Sequence, residues 1–196
     1  MQPGVSVTPG LSEALLETYE RAAPGSVGGN ASEETKGKLA EAVAQWHHTL
    51  THNGYAASTG KRCKLVEVSI QGKSEEPSRK EAKIVAEVTA TGDMVNGYGT
   101  VHGGCIIFLI DVFSSLPVIA MNFDQTKNGD AGLSSSINTI YHAPAPVGAT
   151  LRIVAWSTTV GGRTFSSRAE VWDATNRRLV ASGTHVKMKG RMGPRL

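Results

Sequence analysis

Asn96-Gly97-Tyr98-Gly99-Thr100-Val101-His102-Gly103-Gly104-Cys105-Ile106-Ile107-Phe108-Leu109-Ile110-Asp111 is a glycine-rich loop that runs into an apolar helix, and the layout of the chain follows from it. His102-Gly103-Gly104 is the junction. A helix beginning there points unpaired N–H groups forward, and these favour negative charge. From Cys105 to Ala120 nearly every residue is apolar on every face, as in a helix enclosed by other structure. Asp111 stands alone in it, with Ile107 and Ser115 one turn to either side and so no cation on its own helix. A buried carboxylate without a partner is costly, which marks Asp111 as a functional candidate; the alternative is a structural acid bonded to a nearby N–H or hydroxyl. Gly103 and Asp111 lie roughly 12 Å apart along one helix, at about 1.5 Å per residue. One carbonyl cannot touch both. If both serve one reaction they come from different copies of the chain, which implies a two-fold dimer with sites across its interface.

Working outward, 63–70 and 81–89 read as two antiparallel strands joined by a polar turn over 71–78. The central helix is expected to end near Met121, with a polar loop over 122–132. Four extended segments follow, over 131–143, 149–160, 163–173 and 178–189, with the short spacings of hairpins and a meander. This pattern predicts an α+β fold in which a curved antiparallel sheet wraps one long buried helix.

Upstream, residues 1–60 read as a helical arm and linker, and 61–196 as the main domain. Helices are predicted over 12–22 and 32–50, the second with an apolar stripe of Leu39, Val43, Trp46 and Leu50. Residues 24–30 read as a linker. The arm is expected to pack on the main domain or on a partner chain. His48 and His52 have a spacing that can hold a metal, but with His47 they lack further ligands and no metal site is expected.

The chain has 196 residues, 40% hydrophobic and 19% charged, which suits one globular domain with an extension. Asp111 and Pro117 interrupt the one candidate for a membrane span, and the N-terminus has no secretory pattern. Cys63 and Cys105 are too few for a disulfide framework, so a reducing, cytoplasmic setting is expected, with the mitochondrion possible as another. The net charge of +3 carries little information. Lys187, Lys189, Arg191 and Arg195 read as a solvated basic tail, with a phosphate-meeting patch as the alternative. No nucleic-acid partner is indicated.

The pattern Asn96-x5-His102-Gly103-Gly104-x6-Asp111 resembles the signature of the small hotdog-fold acyl-CoA thioesterases, of the type that includes the eukaryotic thioesterase-superfamily enzymes. The segments 133–145, 162–165 and 179–185 resemble later strands of that family. The resemblance implies the hotdog fold, an acyl-CoA substrate, hydrolysis to free acid and CoA without a metal or other cofactor, and a homodimer or a dimer of dimers. It implies that the Gly103 N–H polarises the thioester carbonyl. Asp111 of the facing chain would be the general base or the nucleophile; apolar surroundings make a carboxylate a better base. Asn96 would position the water or carboxylate, His102 would fix the loop near the thioester, and Ser134 would lie near the water. Ser136, Tyr141, Ala143, Pro144, Gly162, Arg163 and Thr164 would meet CoA, with Arg163 the phosphate ligand. A non-catalytic acyl-CoA-binding regulator of the same fold is the alternative, and a Cys105 nucleophile is disfavoured because no His is obviously spaced to pair with it.

Overall fold

The computed structural model describes residues 26–51 and 55–190. The helix expected over 12–22 lies outside the described residues, as do His52 and the side chains of His47 and His48. Ten elements follow in order. They are helix α1 (Glu33–Thr51), the short helix α2 (Ala57–Arg62), strands β1 (Lys64–Gly72) and β2 (Lys80–Thr89), a 3-10 turn (Gly92–Met94), helix α3 (Gly103–Thr126), and strands β3 (Leu133–Tyr141), β4 (Thr150–Val160), β5 (Thr164–Asp173) and β6 (Arg178–Met188).

All six strands form one antiparallel sheet in the order β1-β2-β4-β5-β6-β3. β4, β5 and β6 form the expected meander, but β3 does not join it through β4. It crosses to the far side and pairs with β6, so it is an edge strand. The inner face follows the period-2 pattern: Ala82, Ile84, Ala86 and Val88 on β2 and Leu151, Ile153 and Ala155 on β4 are buried against α3. The opposite edge, β1, is not bare. The segment expected to be a linker lies along it: Gly28 N–H donates to Val66 O at 2.9 Å, and the Ile70 amide donates to Asn30 Oδ1 at 2.8 Å. Paired edges resist unwanted association. The edge of β3 has no such cover among the described residues.

α3 runs through Pro117 and ends at Thr126, beyond the expected end at Met121. Asn122 reads as a loop residue, but its Nδ2 donates to Asp130 O at 2.7 Å and its neighbour Phe123 is buried. Lys127 stops the helix in a left-handed conformation, its N–H donating to Phe123 O. By length and composition α3 could cross a bilayer. Here the sheet and α1 cover it instead. Leu39 and Val43 of α1 join Leu109, Phe113 and Leu116 in one core. Leu39→Ala should therefore lower global stability by about 2–5 kcal/mol, read as a single displaced denaturation midpoint. A separately melting arm would show an unchanged midpoint for the sheet.

Candidate active site

The loop before α3 is built by its own side chains. Asn96 Oδ1 accepts from the Tyr98 N–H at 2.9 Å and faces Thr100, while Gly99 takes the positive φ of 73° that the turn requires. The His102 N–H donates to Met94 O, and its Nδ1 accepts from the Gly104 N–H at 2.9 Å, making His102 the N-cap of α3. The Gly103 amide makes no hydrogen bond among the described residues. It is the free donor at the helix start. Tyr141 OH donates to Gly103 O at 3.0 Å, and a Cβ on Gly103 would come within 3.1 Å of that hydroxyl.

Around Asp111 the surroundings differ from expectation. The carboxylate is not encased in apolar side chains. Its side chain is 45% exposed, and polar groups from β3 and β6 ring it. Ser134 Oγ donates to Asp111 Oδ1 at 3.4 Å, and His185 Nε2 lies 3.6 Å from the same oxygen and 3.0 Å from Ser134 Oγ. Ser114 Oγ is 2.7 Å from His185 Nδ1. Lys187 Nζ donates to Ser115 Oγ at 2.8 Å and to Ser134 Oγ at 3.4 Å, and Ser115 Oγ donates to Asp111 O at 2.9 Å. A register irregularity between Ser134 and Ser136, of the kind that re-aims side chains, places Ser134 here. Ser136 stays exposed on the strand.

One assignment of hydrogens satisfies these contacts. A carboxylate only accepts, so the Ser134 hydrogen points at Asp111, and His185 carries its hydrogen on Nε2, donating to Ser134. Nδ1 then accepts from Ser114. This is the neutral imidazole. Burial, with the Lys187 charge adding to it and Asp111 opposing, pulls His185 down to about 4. The unfolded chain, with histidine near 6.5, therefore binds more protons between these values. The resulting stability is fully present above pH 6.5 and is lost as pH falls towards 4, a change of order 2 kcal/mol. Thermal melts from pH 7 to 4.5 should show a drop that is smaller in His185→Gln; parallel curves would contradict it.

His185 and Lys187 were not expected here. Lys187 in particular is 5% exposed, not part of a solvated tail. The signal was present in β6, where Val186 and Met188 alternate with His185 and Lys187. The polar pair faces inward and the apolar pair outward.

The residues expected to meet CoA fall at two corners. Ala143 bonds Val180 O, Pro144 O accepts from Arg178, and Tyr141 holds Gly103. Gly162, Arg163 and Thr164 form the exposed β4–β5 turn, where Gly161, Gly162 and Lys189 line a hollow of about 260 Å³. A larger hollow of about 730 Å³, edged by Lys73, Arg79 and Lys80, lies at the C-terminal end of α3, away from Asp111. There Lys80 pairs with Asp124 and Lys73 caps Thr158 O. Cys63 and Cys105 are free thiols; burial pushes Cys63 up to about 12 and raises Cys105 too, so neither is a ready nucleophile. The described residues contain no cluster of metal-ligating side chains.

Comparison with known proteins adds an independent line. The Thioesterase superfamily model matches residues 98–180. Acyl-coenzyme A thioesterase 13 of Mus musculus is 28% identical over 108 residues, covering 55% of this chain and 74% of that protein. Zebra fish thioesterase superfamily member 2 superposes with a TM-score of 0.62 at 20% identity, over 78% of this chain and 98% of that one. A hypothetical thioesterase protein of Streptococcus pneumoniae TIGR4, solved with coenzyme A, superposes with a TM-score of 0.54 at 19% identity, over 68% of this chain and 89% of that one. With six antiparallel strands around α3 and these superpositions, this chain has the hotdog fold, and its residues 98–180, from Tyr98 of the loop onward through Asp111, are similar to the Thioesterase superfamily.

Proposed function

We propose that this chain is an acyl-CoA thioesterase, hydrolysing the thioester to a free acid and CoA at sites shared between two copies. The observation that carries the reading is a pair of half-sites on one helix. Among the described residues, a free amide stands at Gly103 and an open, hydrogen-bonded carboxylate at Asp111, beside an uncovered strand edge. Ile140 and Tyr141 on β3 and Ile107 on α3 expose apolar surface around that edge. A two-fold dimer formed there covers it and sets Gly103 of one copy against the partner's Asp111.

In that site the thioester oxygen accepts from the Gly103 N–H, where charge develops in the transition state. Water lies on the partner's Asp111, whose Oδ1 is occupied by Ser134, leaving Oδ2 to take the proton. The water oxygen bonds to the carbonyl carbon, the C–S bond breaks, and the proton returns to the departing thiolate. A single turnover in ¹⁸O-water should place label in the acid and none in Asp111; label in Asp111 would make it the nucleophile. Asn96 and His102 act through the loop they brace, with the Asn96 amide nitrogen left for the water. The acyl tail runs along Ile107, Phe108 and Val112. In this reading Arg163 and Lys189 supply the cations for the CoA phosphates. The coenzyme A in the Streptococcus pneumoniae structure and the name of the mouse relative support the substrate class. No metal enters these steps, and the two free thiols suit a reducing compartment, cytosol or mitochondrial matrix.

The test is free-thiol release from short, medium, long and aromatic acyl-CoAs, with chelator present. Turnover that depends on acyl length supports the reading. Tight binding of the whole series with no thiol released would support the non-catalytic regulator instead.

A further inference from the structure

Lys187 is a buried cation with no ion pair among the described residues. Its position is an inward one on β6, in the face that elsewhere carries Val180 and Ala181. Burying an ammonium there is costly, and a core alone would be served as well by an apolar side chain. Its two side-chain contacts are hydroxyls, Ser115 and Ser134. Both hydroxyls lead to Asp111: Ser115 donates to its backbone carbonyl and Ser134 to its carboxylate.

From this geometry we infer that Lys187 is a positioning residue of the hydrolytic site, its ammonium turning the Ser115 and Ser134 hydroxyls so that both hydrogens aim at Asp111. The inference rests on the thioesterase reading above. An ammonium has only donors, so each hydroxyl it touches must receive with a lone pair and send its own hydrogen elsewhere. With a neutral residue at 187, Ser134 is free to rotate and donate to another acceptor, and Asp111 loses the bond that fixes its Oδ1. The charged and titratable groups facing the ammonium are Asp111 on α3, Asp130 in the loop before β3 and His185 on its own strand. Burial lowers Lys187 from the usual lysine range, with Asp111 and Asp130 opposing. The ammonium is then lost on the alkaline side earlier than an exposed lysine would lose it.

The experiment compares wild type, Lys187→Met, Lys187→Arg and Asp111→Asn as full chains in acyl-CoA hydrolysis, with thermal melts of each. Lys187→Met should lose about 10- to 100-fold in kcat, with KM within about twofold and the melting temperature unchanged or higher. Wild-type kcat should fall on the alkaline side, and Lys187→Arg, which keeps its charge, should lack that fall. Lys187→Met with kcat within about twofold of wild type would overturn the role. So would a loss of kcat matched by a collapse in melting temperature in both variants, which is the mark of packing alone. Asp111→Asn separates the two readings. If it is inactive while Lys187→Met is normal, only the role of Lys187 falls; if it turns over like wild type, the role of Asp111 falls and that of Lys187 with it; if wild type itself releases no thiol, the hydrolase reading falls.

Discussion

Asp111→Asn should lower kcat for acyl-CoA hydrolysis by about a thousandfold or more, while KM and the fold stay near wild type. The asparagine has the shape of the acid, and its Oδ1 can still accept from Ser134, so the polar ring around position 111 stays bonded. What is lost is the acceptor for the water proton. The half-exposed side chain makes no backbone-capping bond that the amide would break, so stability should move by less than about 1 kcal/mol. Steady-state kinetics with a parallel denaturation curve checks both halves. Wild-type turnover in this variant would remove Asp111 from the chemistry altogether.

Gly103→Pro should cost about 100- to 1,000-fold in kcat by deleting one N–H. This substitution is unusually selective at this position. Gly103 is the first residue of α3, where proline is well tolerated because its missing N–H has no intrahelical partner. His102, with φ −63° and ψ 136°, already has the extended backbone that a residue before proline adopts. The one crowded contact is with the Tyr141 ring, 3.1–3.4 Å from an added Cβ, and that side chain is half exposed and can give way. A far-UV spectrum like wild type with kcat reduced is the expected pair of results. Undiminished kcat would show that the amide does not meet developing charge.

Much of the fold is legible in the sequence because two different periods are clean. The apolar run after His102 reads as an enclosed helix, the alternation in 81–89 reads as a strand, and 149–160 reads as an extended segment, with the strands found at both. The place of β3 is not legible. Short connections suggest neighbours, whereas β3 is exposed along most of its length and, among the described residues, pairs only at its β6 side. The segment 24–30 reads as a linker because of its Pro and glycines, yet the backbone bonds that Gly28 makes to β1 need no particular side chains. At the site, local spacing finds Asn96, His102, Gly103 and Asp111, since one loop and one helix carry them all. Asn96 and His102 prove to brace that loop. The ring around the carboxylate comes from β3 and β6, more than twenty and seventy residues onward, and only the register of the sheet brings Ser134, His185 and Lys187 to it. That is why an acid that reads as isolated in apolar surroundings sits instead in a polar, half-open cluster.

The two variants together test the shared site. Differently tagged Asp111→Asn and Gly103→Pro chains, each inactive alone, are unfolded together and refolded as a mixture. If each site takes its amide from one copy and its acid from the other, a mixed dimer holds one intact site, and a random equal mixture recovers about a quarter of wild-type activity. Should amide and acid of the same chain serve one site, the mixture stays as inactive as its parts.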